Sequence, residues 1–231
     1  MIRKVSLFLA AALFASTFGS AGAQQVTLLD RQLSRLDFGI SGAGLFNGTV
    51  SGPALRKDSS ICAPATATTA AGPCFLTQTP SNTVGALVTI RYIVKPLVGI
   101  EFNYGYARYT ENFTYPPPAP FGVQTRASEY TLGYIFTPDH KFFGFQPFVS
   151  AGAGATEFKP TPHGGESLPE QARATYYYSA GLQQEYFSSH FGLRASFRQL
   201  FYLAPDFGQN YLTILKHTTS TEPTVGFYLR Y

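Results

Sequence analysis

After the first two dozen residues the sequence holds no apolar run of the roughly 18 to 20 residues that a membrane-spanning helix needs. That excludes later helical spans. It does not exclude a closed barrel, the other structure that crosses a bilayer with every backbone hydrogen bond satisfied. Charge is scarce too: Asp, Glu, Lys and Arg make up 13% of the chain, with a formal net charge of +4. Without Arg3 and Lys4 the net charge is +2, too small and too scattered a bias for a nucleic-acid partner. Only four histidines occur, His140, His163, His190 and His217, and no two have metal-ligand spacing, so neither metal nor cofactor is expected. Tryptophan is missing; the aromatic content rests on 15 Tyr and 21 Phe.

What is present begins with a targeting pattern. Arg3 and Lys4 are basic, Val5 to Phe18 is mostly apolar, and Ala21-Gly22-Ala23 is a small-x-small cleavage signature. Residues 1–23 are therefore read as a cleaved signal peptide, leaving 208 residues from Gln24. The stretch is too short, and too interrupted by Ser6, Ser16 and Thr17, for an anchor. Residues 24–34 are read as a short periplasmic segment and 35–231 as one domain. Cys62 and Cys74, an even count in an exported chain, are read as one disulfide.

Eight segments alternate with the period of two that marks a strand. They are about Leu36 to Phe46, Val84 to Tyr92, Val98 to Tyr109, Ser128 to Phe136, Phe143 to Phe158, Ala174 to Gln183, Phe191 to Tyr202, and a closing strand to Tyr231. The fifth has an ambiguous phase around Pro147, where a bulge or an unpaired position is expected. Long connections (Gly48 to Asn82, Thr110 to Ala127, Lys159 to Gln171, Ala204 to Ser220) alternate with short ones (Ile93 to Pro96, Thr137 to Lys141, Gln184 to His190). An even count with this alternation predicts an all-β, up-and-down antiparallel transmembrane barrel of eight strands. Its long loops would be extracellular and both termini periplasmic.

One face of these segments is apolar: Val84, Val88 and Ile90; Ile100, Phe102 and Tyr104; Tyr130, Leu132 and Tyr134; Leu193 and Phe197. The other carries Gly85, Thr89 and Arg91; Glu101, Asn103 and Gly105; Glu129, Thr131 and Gly133; Arg194, Ser196 and Arg198. Charges confined to one face of an exported chain indicate a polar interior, the reverse of a soluble ligand-binding barrel. Alternation sends Asp37, Glu101 and Glu129 inward with Arg91, Arg194, Arg198 and Arg230. An eight-stranded barrel is only wide enough for its own side chains. Arg194 is therefore expected to meet Glu101 low in the lumen, and Arg198 to meet Glu129 near mid-height.

The last residues read Thr224-Val225-Gly226-Phe227-Tyr228-Leu229-Arg230-Tyr231. Thr224, Gly226, Leu229 and Tyr231 resemble the C-terminal insertion signal of outer-membrane barrels, with Leu229 where an aromatic is commoner. Leu36 to Tyr231 as a whole resembles the small outer-membrane barrels of the OmpA-like and OmpX-like superfamily. Phe191-Gly192-Leu193-Arg194-Ala195 and Ala204-Pro205-Asp206-Phe207 look like segments of its barrel-only members. The resemblance implies the fold, the outer membrane of a Gram-negative bacterium, a monomer, and as partners the lipid bilayer and the barrel-assembly machinery. It also implies that the peptidoglycan-binding domain of longer members is missing. It says little about activity, because such barrels serve as structural proteins, adhesins, narrow pores and a few enzymes. A structural or surface-interaction role with a filled lumen is expected, to be set against a narrow passive channel for small solutes.

Signals for chemistry are weak. Gly42-Ala43-Gly44 and Gly152-Ala153-Gly154 lack the third glycine and the helix of a phosphate loop. A lipid-modifying barrel enzyme needs a nucleophile, a base and an orienting acid at the rim. Ser220, His217 and Asp206 share one polar loop, as chance allows, so no catalytic residue is assigned. The run Tyr115 to Phe121, with four prolines, is read as a stiff, extended connection.

Overall fold

The computed structural model describes residues 32–54, 75–95, 97–115, 121–186 and 188–230. Alternating large apolar and small or polar residues build ten strands: β1 (Leu36–Asn47), β2 (Val50–Pro53), β3 (Phe75–Pro80), β4 (Thr83–Lys95), β5 (Val98–Thr114), β6 (Phe121–Phe136), β7 (Gln146–Pro160), β8 (Gln171–Tyr186), β9 (Ser188–Leu203) and β10 (His217–Arg230). They pair antiparallel in the order β2-β3-β5-β4-β1-β10-β9-β8-β7-β6, and β5 also pairs with β6, which closes the sheet. Eight strands form the closed ring.

β2 and β3 continue two of those eight. β1 pairs Leu45 with Thr83 of β4, and β2 pairs Val50 with Gln78 of β3, which is the same register carried five residues on. Among the described residues the hairpin is interrupted at Gly48-Thr49 and Ser81-Asn82. There the Asn47 N–H donates to Asn82 Oδ1 (3.0 Å) and Asn47 Nδ2 donates to Ser81 O (2.9 Å) in place of ladder bonds. The connection Gly48 to Asn82, expected as loop, therefore starts and ends as strand. Most other strands also outrun their expected ends on the long-loop side: β5 reaches Thr114, β6 begins at Phe121 and β10 at His217. Pro147 shows no register shift. It pairs with Leu182 as the second residue of β7, and β6 reaches no further than Val149, so only one neighbouring strand borders it.

The pairing Asp37-Arg91-Glu101-Gly133-Gly152-Tyr177-Leu200-Ser220 runs once round the ring and returns to β1 at Asn47, ten residues beyond its start. That stagger over eight strands tilts them by roughly 40° from the barrel axis.

Two opposite patterns are stacked along the axis. Toward the short turns the outward side chains form an exposed apolar belt that includes Phe38, Ile90, Ile100, Phe102, Leu132, Tyr134 (73% exposed), Leu193, Phe197, Val225 (70% exposed), Phe227 and Leu229. The inward positions there are mostly polar or glycine, with Leu87, Ile135 and Phe148 among them. Beyond Tyr106 and Tyr130 the sense reverses. Outward residues become Arg108, Thr110, Asn112, Gln124 and Arg126, while Tyr109, Phe113, Val123, Phe158 and Tyr202 are buried inside. A polar interior along the whole length, as expected from the alternation, is thus limited to the belted half. Where the outer wall is polar enough to face water, burial of apolar surface turns inward, as in a water-soluble barrel.

Candidate functional site

The lumen is the candidate site, and it is filled in three tiers. The lowest lies at the short-turn end. Register places Arg91 of β4 directly opposite Glu101 of β5. Arg91 Nε and Nη2 both donate to Glu101 Oε2 at 2.6 Å. The other carboxylate oxygen accepts from Asn103 Nδ2 (2.9 Å), Ser150 Oγ (3.0 Å) and Tyr177 OH (3.1 Å). Arg194 of β9 reaches Asp37 of β1 at 2.7 Å, and Gln183 Oε1 accepts from both Arg194 and Arg91. Arg91 also lies over the Phe148 ring (4.2 Å) and Arg194 over the Tyr228 ring (4.5 Å), so their faces are covered as well as their edges.

The expected Arg194–Glu101 pair is not formed. Glu101 is already taken by the arginine facing it on the adjacent strand, and Arg194 bonds Asp37, one strand beyond β10. Arg230 stands at the rim, 3.7 Å from Asp37 and 3.4 Å from Glu185, with 27% of its side chain exposed.

The middle tier is one guanidinium between two carboxylates. Arg198 Nη2 donates to Glu129 Oε1 across the lumen at 2.6 Å, and Nη1 donates to Glu222 Oε2 of neighbouring β10 at 2.7 Å. All three are buried. Glu129 was expected here and Glu222 was not. Its parity is that of Thr224 and Tyr228, but Pro223 hid the strand's earlier half from a period-two reading. In the lower two tiers the buried charges are therefore Asp37, Glu101, Glu129 and Glu222 against Arg91, Arg194 and Arg198, rather than three acids against four bases. A cavity of about 30 Å³, room for about one water, is lined in part by Leu87, Tyr109, Glu129, Ser220 and Glu222.

The top tier is apolar. Phe113, Phe158, Leu76, Val123 and Tyr202 meet Phe207, Leu212 and Ile214, which the connection between β9 and β10 folds into the barrel mouth. Glu111 is the exception, held by Gln78 Nε2 (2.9 Å), which also donates to Pro205 O (3.2 Å). Asp206 knots the inserted segment. It accepts from Gln171 Nε2 (2.6 Å), Thr213 Oγ1 (2.8 Å) and the Gly208 N–H (3.0 Å), and pairs with Arg173 (2.8 Å). Partial burial pushes its carboxyl up, but these bonds and the Arg173 charge outweigh that and hold it below the usual carboxylate range.

The remaining sequence candidates separate. His217 points outward and Ser220 inward, three residues apart on β10, while Asp206 is occupied in its knot, so the imagined triad does not assemble. His190 lies in β9 rather than a turn, its Nδ1 3.1 Å from Arg230 O. His140 stays in a turn and His163 in a loop, and no metal-binding group occurs among the described residues. Tyr115 is buried and stacks on Phe121, so the ends of the proline run face the core rather than solvent. In the closing strand, Thr224 faces inward, hydrogen-bonded to Ser196 (2.6 Å), and Leu229 faces outward. Gly226 lies so close to the β1 backbone at Ile40 that any side chain would collide. Tyr231, Cys62 and Cys74 lie outside the described residues, as does the signal segment.

No protein-family model matches the chain, and no curated protein does. Among solved structures it is similar to Neisserial surface protein A, with 12% identity and a TM-score of 0.46 over 84% of this chain and 97% of that one. It is also similar to Ail, the attachment invasion locus protein of Yersinia pestis, solved with the heparin analogue sucrose octasulfate (14% identity, TM-score 0.42, 85% of this chain and 99% of that one). A third is the N-terminal β-barrel domain of Pseudomonas aeruginosa OprF (17% identity, TM-score 0.40, 84% and 97%).

Proposed function

We propose that the protein is an outer-membrane barrel with a structural or surface-interaction role and a lumen closed to solutes. The observation that carries this is the stacked reversal of polarity. An apolar belt encloses the charge-filled half of the lumen, and a half with a water-compatible outside and an apolar inside stands beyond it. Lipid suits the first half and water the second. The belt would span the bilayer, and the upper half, with the β2–β3 extension and the long loops, would project from the cell. Both termini would be periplasmic, and the closing strand through Tyr231 would engage the barrel-assembly machinery after signal-peptide cleavage at Ala23. The protein would act as a monomer and carry out no catalysis.

A narrow channel fits less well, because the buried Arg–carboxylate pairs and the apolar cap occupy the lumen in three tiers. Orientation is tested by labelling intact cells with a membrane-impermeant maleimide, in a background with Cys62 and Cys74 replaced by Ser. A cysteine at exposed His163 should label and one at exposed Asp139 should not. The reverse result, or labelling of neither, would contradict the topology.

A further inference from the structure

The connection between β6 and β7 carries a feature that neither the barrel nor its lumen explains. Phe142 and Phe145 exchange backbone hydrogen bonds (2.7 and 3.0 Å), enclosing Phe143 and Gly144 as a two-residue hairpin turn. Both central residues have positive φ, 49° at Phe143 and 83° at Gly144. Such turns favour Asn-Gly or Gly-Gly, because a bulky L side chain is strained in the left-handed region. Phe143 is nevertheless there, and it is 86% exposed. Phe207 has a similar φ of 50° but is fully buried in the barrel mouth, where packing can hold it; Leu215, with φ 56°, is 60% exposed but carries no ring and has no aromatic neighbour in its turn. The Phe143 ring touches Phe142 edge-on, with ring centres 4.5 Å apart, and Phe142 is itself 68% exposed.

The turn does not hang beneath the lumen. Gly144 lies beside the side chain of Gln184, which shares the outward parity of β8 with exposed Leu182. The aromatic turn therefore reaches the outward side of β8, at the short-turn end where the last pair of β6 and β7, Phe136 and Val149, is also exposed. The neighbouring cation, Lys141, has a half-exposed side chain 3.8 Å from Glu185.

We propose that the Phe142–Phe145 turn is a membrane foot whose rings enter the lipid surface of the leaflet at the short-turn end. The inference rests on reading the belt as lipid-facing. Strain and exposure, both unfavourable in water, are offset when the rings enter the interface, where aromatic side chains with polar neighbours are favoured.

The absence of tryptophan makes the test direct. Phe143→Trp supplies one reporter in the turn, and Phe197→Trp supplies one in the belt. Each variant, checked for folding by its heat-modifiable gel mobility, is reconstituted into phosphatidylcholine vesicles with and without brominated acyl chains. The expected result is blue-shifted emission for both and loss of most of it on bromination. If the Phe143→Trp variant emits like the unfolded protein, responds to aqueous iodide and ignores bromination while the Phe197→Trp variant is quenched, the foot is refuted and the belt stands. If neither is quenched, the belt reading fails and takes the foot with it. If Phe143→Trp does not fold, Phe142→Trp serves with the same expectations.

Discussion

Replacing Arg198 with Met removes the cation that two buried carboxylates share. Arg198 bonds Glu129 at 2.6 Å and Glu222 at 2.7 Å, with side-chain exposures of 3% for the arginine and 6% for each acid. Met fills much of the volume, so the loss is chiefly electrostatic. Breaking a buried pair by deleting one member costs about 3–5 kcal/mol, because the surviving charge is stranded. Two acids are stranded here. Glu129 keeps a hydrogen bond from Thr131 Oγ1 (2.9 Å), which softens its share. We therefore expect Arg198→Met to destabilise the barrel by about 4–5 kcal/mol. The assay is reversible urea unfolding in vesicles, followed by circular dichroism and by the folded-band mobility. Converting both acids to Gln in the same background removes the stranded charge and should restore most of the loss. A single variant within about 0.5 kcal/mol of the parent, or a triple variant no better than the single, would refute the reasoning.

Further outcomes follow from the other tiers. Arg194→Ala should be milder, about 1–3 kcal/mol in the same assay, because Arg230 stands 3.7 Å from Asp37 and can move in. Asp206 has its carboxyl held low, so its contribution is present above the ordinary carboxylate range and is lost as pH falls through the lowered value in the folded protein. Limited proteolysis should accordingly cut the Ala204–Lys216 segment of the parent only in strong acid, and that of Asp206→Asn already at neutral pH. Mass spectrometry of non-reduced protein from membranes should show Cys62 joined to Cys74; two free thiols would exclude the bridge. Deleting Tyr231 should lower membrane yield and raise periplasmic degradation, as judged by heat-modifiable migration in fractionated cells.

Strand identity was legible because most belted strands alternate, as in Ile100, Phe102 and Tyr104 against Glu101, Asn103 and Gly105, whereas the Gly-Ala run of β7 blurs its phase. The inward set followed from parity alone. Pairing was less legible, since parity says which residues face the lumen but not how heights shift from strand to strand. The ten-residue stagger moves Arg194 toward Asp37, and adjacency gives Glu101 to Arg91. Glu222 escaped because a proline follows it. The apolar upper tier escaped for a different reason. Tyr109, Phe113, Val123 and Phe158 read as ordinary alternation, and only the polar partners beside them, Arg108, Thr110 and Gln124, mark the reversal. The insertion of Phe207, Leu212 and Ile214 into the mouth depends on contacts from distant strands and left no local pattern.

The central claim is that the lumen is closed by paired charges below and an apolar cap above. Purified, refolded protein in a planar lipid bilayer tests it most directly. The account predicts no lasting conductance from the parent protein at moderate voltage, with brief, irregular events at most. Steady ohmic channels that scale with salt concentration would contradict it and establish a continuous wet path through the barrel.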